Sequence, residues 1–133
     1  MAPVVHDHYG WPDAPRFAFR PIAGSGLIEL PVTTARFAGR TLAAGGGGFF
    51  RMLPYAFSRW AIGQVNGDRR PAIFYFHPWE IDPGQPRVAN APLRSKLRHY
   101  SRLGAMEGKL RRLIRRFDWG RVDQVAAGQA ATL

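Results

Sequence analysis

The sequence predicts a single α/β domain, and three observations carry that prediction. Extended and helical segments alternate along the chain, in the order strand, glycine loop, helix, buried strand, loop, helix. The stretch from Ala72 to Phe76 is apolar at every position, the pattern of a strand in a parallel sheet covered on both faces. A length of 133 residues and a hydrophobic content of 46%, with nine Phe, four Trp and four Tyr, suffice for one packed core.

The elements follow in order. Residues 1–26 read as loop, because Pro3, Pro12, Pro15 and Pro21 interrupt every candidate element. "LIELPVTT" (27–34) reads as a first strand, with Pro31 suiting an edge or a strand end. "ARFAGRTLAA" (35–44) reads as a second extended segment. The run Gly45 to Gly48 is expected outside any regular element, since four glycines lose much backbone entropy on ordering. Pro54 then opens a helix in which Phe57, Trp60, Ala61, Gln64 and Val65 share one face at i, i+3, i+4 spacing, with Gly67 as its C-cap. The strand 71–77 follows, and a Pro-broken loop runs from 78 to 92. Leu97, Tyr100, Leu103 and Met106 suggest a turn-rich or helical piece. Leu103, Met106, Leu110, Leu113, Ile114 and Phe117 line one face of an amphipathic helix. Its other face carries Lys109, Arg111, Arg112, Arg115 and Arg116. A short helix at 121–127 ends the pattern. The chain is one region in three stretches: loop-rich 1–26, the strands, helix and candidate site of 27–91, and basic helices over 92–133.

A formal charge of +10 invites a nucleic-acid reading. Of the 19 basic residues 17 are Arg, and Ala is abundant, which a GC-rich coding bias produces without selection for binding. No nucleic-acid partner is therefore expected. The lack of cysteine excludes disulfides and thiolate metal sites. No apolar run reaches the roughly 18–20 residues of a membrane span. The N-terminus "MAPVVHDHYGW" lacks a signal-peptide pattern, so a cytoplasmic location is expected.

The candidate chemistry gathers around "FYFHPWEIDPG" (74–84). His77 ends an apolar strand, and in α/β folds the C-terminal strand edge is where loops can surround a ligand. An imidazole there suits acid–base work near neutrality, and it equally suits a strand cap bonded to a loop carbonyl. Trp79 offers an aromatic face to the C–H face of a sugar. Glu80 or Asp82 is placed to orient the imidazole, although Asp82-Pro83-Gly84 also reads as a turn in which Asp bonds its own backbone. His6 and His8 stand one residue apart with no third ligand in view, and a solvated loop is the simpler reading. "GGGGFFR" (45–51) lacks the Lys-Ser/Thr of a nucleotide loop. It reads better as backbone passing close to a bound chain or a neighbouring strand. Gly47, Gly48, Arg51 and Trp79 are the candidate substrate-binding residues, with Arg51 suited to an anionic or polyhydroxylated ligand. The basic helical face reads as solvated surface, or as a seat for an acidic partner or anionic membrane.

The strings "HDHYGWPDAPR", "GLIELPVTT", "AGGGGFFRMLPYAFSRW", "RPAIFYFHPWEIDPGQPR" and "LRHYSRLGAMEGKLRRLIRRF" together resemble, in that order, the C-terminal portion of polysaccharide deacetylases. The group resembled is the one associated with exosortase (PEP-CTERM) exopolysaccharide loci, whose C-terminal region is a domain of unknown function. The likeness runs from about Val4 to about Val125. It implies the last strands and helices of a NodB-like partial (β/α) barrel. It also implies hydrolysis of acetamide groups on an N-acetylated polysaccharide substrate, by an enzyme holding a divalent metal, usually zinc. On this resemblance His77 matches the general acid that protonates the leaving amine. The family's Asp-Asp and His-x-x-x-His motifs do not occur in these 133 residues. The resemblance thus implies a chain that binds no metal and hydrolyses nothing alone, completed by a missing N-terminal half or by self-association. A rival reading of the residues, independent of the resemblance, is a stand-alone module in which Trp79, Arg51 and the glycine loop hold a polysaccharide without cleaving it, or in which the basic stretch 94–116 binds an anion.

Overall fold

The computed structural model describes residues 10, 11 and 13–133. His6 and His8 lie outside the described residues. The regular elements are a hairpin of β1 (Thr34–Phe37) and β2 (Arg40–Ala43), then helices α1 (Gly47–Met52) and α2 (Tyr55–Gly67). A 3-10 turn (Pro78–Ile81) and helices α3 (Leu93–Tyr100), α4 (Leu103–Arg116) and α5 (Val122–Ala130) complete the chain. The architecture is mixed α/β, with one two-stranded antiparallel sheet among the described residues.

The sheet differs from the predicted strands. The first strand begins at Thr34, whereas the sequence predicts 27–34; within 27–33, Glu29 makes an isolated antiparallel bridge to Phe19. The expected second segment, 35–44, contains a reversal. Phe37 pairs with Arg40, leaving Ala38 (φ 47°) and Gly39 (φ 77°) as a two-residue loop. Positive φ at both positions is the mark of the hairpin turn whose twist matches that of the strands. The Gln64 side chain ties the hairpin to α2. Its Oε1 accepts from Arg36 N at 2.7 Å and its Nε2 donates to Arg36 O at 3.0 Å.

The glycine run does enter a regular element, because Gly47 and Gly48 form the first turn of α1. Neighbouring backbone fixes it there. Gly47 N donates to Tyr75 O at 2.8 Å, Tyr75 N donates to Gly45 O at 2.9 Å, and Thr33 N donates to Ile73 O at 3.0 Å. Gly45 is required by this approach, since a Cβ on it would lie 2.4 Å from Ile73 O and 2.8 Å from Thr33 N.

Residues 71–77 run extended, with a single parallel bridge at Tyr75. The segment is covered on one face, where sequence predicts two. Ala72, Phe74 and Phe76 pack against the core, whereas Tyr75 and His77 are exposed. This is the period-two alternation of a one-sided strand, hidden in the sequence because Tyr75 is itself aromatic. Ile73 and Tyr75 spend their backbone groups on Thr33 and Gly45–Gly47. Ala72, Phe74 and Phe76 make no backbone hydrogen bond among the described residues, so the segment keeps one open edge.

The main core is Phe50, Ile62, Met106 and Leu113, joining α1, α2 and α4 under Phe74 and Phe76. Phe50 and Phe74 meet edge-on with centroids 5.2 Å apart. A second cluster of Ala35, Ala44 and Ala61 seats the hairpin on α2, where small side chains permit close approach. The helices predicted at 54–67 and 103–117 form and bury Ala61, Val65, Leu103, Met106 and Leu113 as their spacing predicts, but Trp60 and Ile114 of the predicted faces are exposed, and Ile62 turns into the core instead. Three details differ. Gly67 lies inside α2, with Asp68 after it as the cap. Arg102 (φ 57°) breaks the 97–106 stretch into α3 and α4. α5 extends to Ala130, beyond the expected 121–127.

Candidate functional site

A cleft of about 900 Å³ opens between the start of α1, the end of the 71–77 segment, the 3-10 turn and α3. Its floor follows from local chain chemistry. Pro78 cannot continue a strand and suits the first turn of a helix, so the extended segment rolls directly into the 3-10 turn. Glu80 N donates to His77 O at 2.9 Å, and the Glu80 Oε2 accepts from His77 N at 3.0 Å. Glu80 is 2% exposed. Its carboxylate therefore fixes the backbone of His77, whose exposed side chain borders the cleft.

Aromatic rings form the cleft wall. His77 lies nearly parallel to Trp79 (9°, centroids 5.7 Å), and Trp79 stacks on His99 (16°, 4.1 Å). Tyr75 meets His77 edge-on at 5.8 Å, and Tyr100 meets His99 at 4.7 Å. His99 is held by Gln85, whose Oε1 lies 2.9 Å from His99 Nε2. Gln85 Nε2 donates to the carbonyls of Trp79 (2.8 Å) and Asp82 (3.2 Å). With its amide protons so used, Gln85 presents oxygen to the ring, and His99 Nε2 carries the hydrogen. Asp82 Oδ1 accepts from Gly84 N at 2.9 Å, the turn bond that its sequence suggests.

Behind the wall lies Arg51, 2% exposed. It is the first of two cations that close helix ends. Its Nη1 donates to His99 O, its Nη2 donates to Arg98 O at 2.5 Å, and its guanidinium lies 5.5 Å from the Trp79 ring centroid. Those carbonyls belong to the last turn of α3, where helix C-termini leave acceptors unpaired and favour positive charge. Burial lowers the Arg51 guanidinium from its ordinary value, while the Glu80 carboxylate acts in the opposite direction. Lys109 does the same for α1. Its Nζ donates to the carbonyls of Phe50 (3.1 Å), Arg51 (3.0 Å) and Leu53 (2.7 Å). Burial lowers the Lys109 ammonium, with Arg102 lowering it further. Lys109 is thus a half-buried cap, where the helical pattern suggests a solvated face. Arg112 of that face covers the Tyr55 ring at 4.3 Å.

Of the sequence-predicted residues, His77, Trp79, Arg51 and Gly48 border the cleft together. Gly47 turns inward. A Cβ there would fall 2.1 Å from Glu80 Oε2 and 2.7 Å from Phe76 Cβ, so its smallness admits Glu80. Tyr75, His99 and Tyr100 also line the cleft, and no local sequence pattern marks them, since Tyr75 sits in an apolar strand and His99 and Tyr100 in a basic helix. Among the described residues no group of three His, Cys, Asp or Glu side chains gathers to hold a metal ion. The donor set of a zinc site is therefore not met by them. No helix among the described residues is long and apolar enough to cross a membrane.

A family described as "Domain of unknown function (DUF3473)" matches residues 1–127. The chain belongs to the DUF3473 family. No curated protein and no solved structure gives a significant match. The DUF3473 match spans the hairpin, the cleft and all of α1 to α4, so every residue of the aromatic wall falls inside it.

Proposed function

We propose that this DUF3473 chain holds an N-acetylated polysaccharide in the cleft. In this reading it is the C-terminal part of a metal-dependent polysaccharide N-deacetylase acting in exopolysaccharide biosynthesis. The single observation that carries the reading is the exposed His77 imidazole beside the parallel ring of Trp79, in a cleft of about 900 Å³. A sugar ring offers an apolar C–H face, which an indole face matches. His77, within reach of a sugar seated there, would deliver a proton to the amine nitrogen as the amide C–N bond breaks. The resemblance to deacetylases supports the same role for His77. The parallel contact at Tyr75 and the open edge along 72–76 support a partial (β/α) barrel whose remaining strands come from elsewhere, with the antiparallel hairpin outside that barrel's parallel sheet. The metal ligands and the base would come with those strands, because the described residues assemble no three-ligand group.

That last observation also favours a second reading, a polysaccharide-binding module without catalysis. Both readings expect chitotetraose to bind the 133-residue chain and affinity to fall about tenfold or more in Trp79→Ala. Both also expect no acetate release from the chain alone, with or without added zinc. They part in a metal-bearing deacetylase that contains the domain. The deacetylase reading expects His77→Gln to lower kcat by about a hundredfold or more with KM little changed. An unchanged kcat leaves the binding module. Acetate release by the chain alone with stoichiometric zinc would overturn both.

A further inference from the structure

We propose that the saccharide bound in the cleft is anionic, with its charge carried beside the aromatic wall by the Arg98 and Lys96 side chains. The inference rests on the saccharide reading of the cleft and goes on to name the ligand's charge. Three permanent cations line the cleft, Arg51, Lys96 and Arg98, against one carboxylate, Glu80. Glu80 is 2% exposed and engaged with His77 N, so it offers little to a ligand. Arg51 is also buried and spends both terminal nitrogens on α3 carbonyls.

The two α3 cations differ from Arg51. The Arg98 side chain is exposed, and its guanidinium makes no hydrogen bond or ion pair among the described residues; only its backbone oxygen is used, by Arg51. Lys96 Nζ donates to Ala89 O at 2.5 Å, which leaves two of its three N–H donors for a ligand. No acid offsets them along the helix. From 94 to 116 the chain has nine basic residues and one acid, Glu107, which pairs with Arg111 on α4. A neutral sugar stacked on Trp79 would leave the exposed Arg98 charge uncompensated, whereas an anionic one places a negative group where its guanidinium can receive it bidentately. The same chemistry is met by a uronate carboxylate in the polymer or by a phosphate on a glycosyl carrier.

The test is a calorimetric titration of the 133-residue chain with four probes. These are chitotetraose, an oligogalacturonate tetramer, UDP-N-acetylglucosamine and a thymidine oligonucleotide of charge equal to the tetramer. At least one anionic saccharide is expected to bind about tenfold or more tighter than chitotetraose at low salt. Whether that is the tetramer or the nucleotide sugar identifies carboxylate or phosphate as the anion. The advantage should shrink toward 0.5 M salt, where the screening length falls to a few ångströms. Arg98→Gln should remove most of the advantage, bringing the ratio of anionic to neutral affinity toward one, while hydrogen exchange at the end of α3 stays at wild-type protection because the cap uses the backbone of residue 98. Equal affinity for neutral and anionic sugars overturns the inference and leaves the saccharide reading standing. Equal affinity for the oligonucleotide overturns the inference in favour of a general polyanion site. Binding of no saccharide overturns the inference together with the saccharide reading.

Discussion

Replacing Gly47 by alanine tests how the candidate site is built. The new Cβ would lie 2.1 Å from Glu80 Oε2, 2.8 Å from Glu80 Cδ and 2.7 Å from Phe76 Cβ. Phe76 belongs to the core, so the carboxylate must yield, and its bond to His77 N (3.0 Å) is lost. Overpacking costs about 1–3 kcal/mol. A hydrogen bond to a charged group contributes about 1.5–3 kcal/mol. The gain from alanine in a helix offsets up to about 1 kcal/mol. The net expectation is a loss of about 1.5–6 kcal/mol, read as a drop in urea midpoint and in Tm. Gly48→Ala is the matched control, because it stands next in the same helix with nothing within 4 Å of its Cβ. It should be neutral or stabilising by up to about 1 kcal/mol. If the two variants unfold together, Glu80 does not rest on Gly47, and the account of how His77 is positioned fails.

Two further substitutions address the helix caps. Lys109→Met should cost about 2 kcal/mol in urea unfolding, because three carbonyls at the end of α1 lose a charged donor. A cost below about 0.5 kcal/mol would mean that water replaces the ammonium freely. Arg51→Lys should fail to restore wild-type stability, since a single ammonium cannot span the Arg98 and His99 carbonyls as the guanidinium fork does. Hydrogen exchange at the end of α3 is the readout, and wild-type protection in the variant would refute the forked cap.

Much of this was legible from spacing. Leu103, Met106, Leu110 and Leu113 gave α4 its buried stripe, and Pro54 marked the start of α2. The hairpin was hidden because its turn is Ala38-Gly39, and alanine at the first turn position carries none of the signal of Asn or Asp. The glycine run looked unfit for a helix because its stabilisation is tertiary, from Tyr75 and from the space that Glu80 fills. At the site, His77 and Trp79 stood out as polar and aromatic groups at a strand end. His99 did not, since "LRHYSR" reads as basic helix until folding stacks it on Trp79. Arg51 and Lys109 were equally opaque, because a cap formed by a cation 47 to 59 residues away leaves no local pattern.

The central claim is that a saccharide ring lies on the His77–Trp79–His99 wall. The chain has four tryptophans, so its indole N–H resonances form a four-signal reporter. In a nitrogen-15 correlation spectrum titrated with chitotetraose, and repeated with the anionic tetramer, the Trp79 signal should shift most, together with the ring resonances of His77 and His99. Trp11, Trp60 and Trp119 should stay in place. Shifts centred on Trp60 or Trp119, or none at saturating oligosaccharide, would contradict the account.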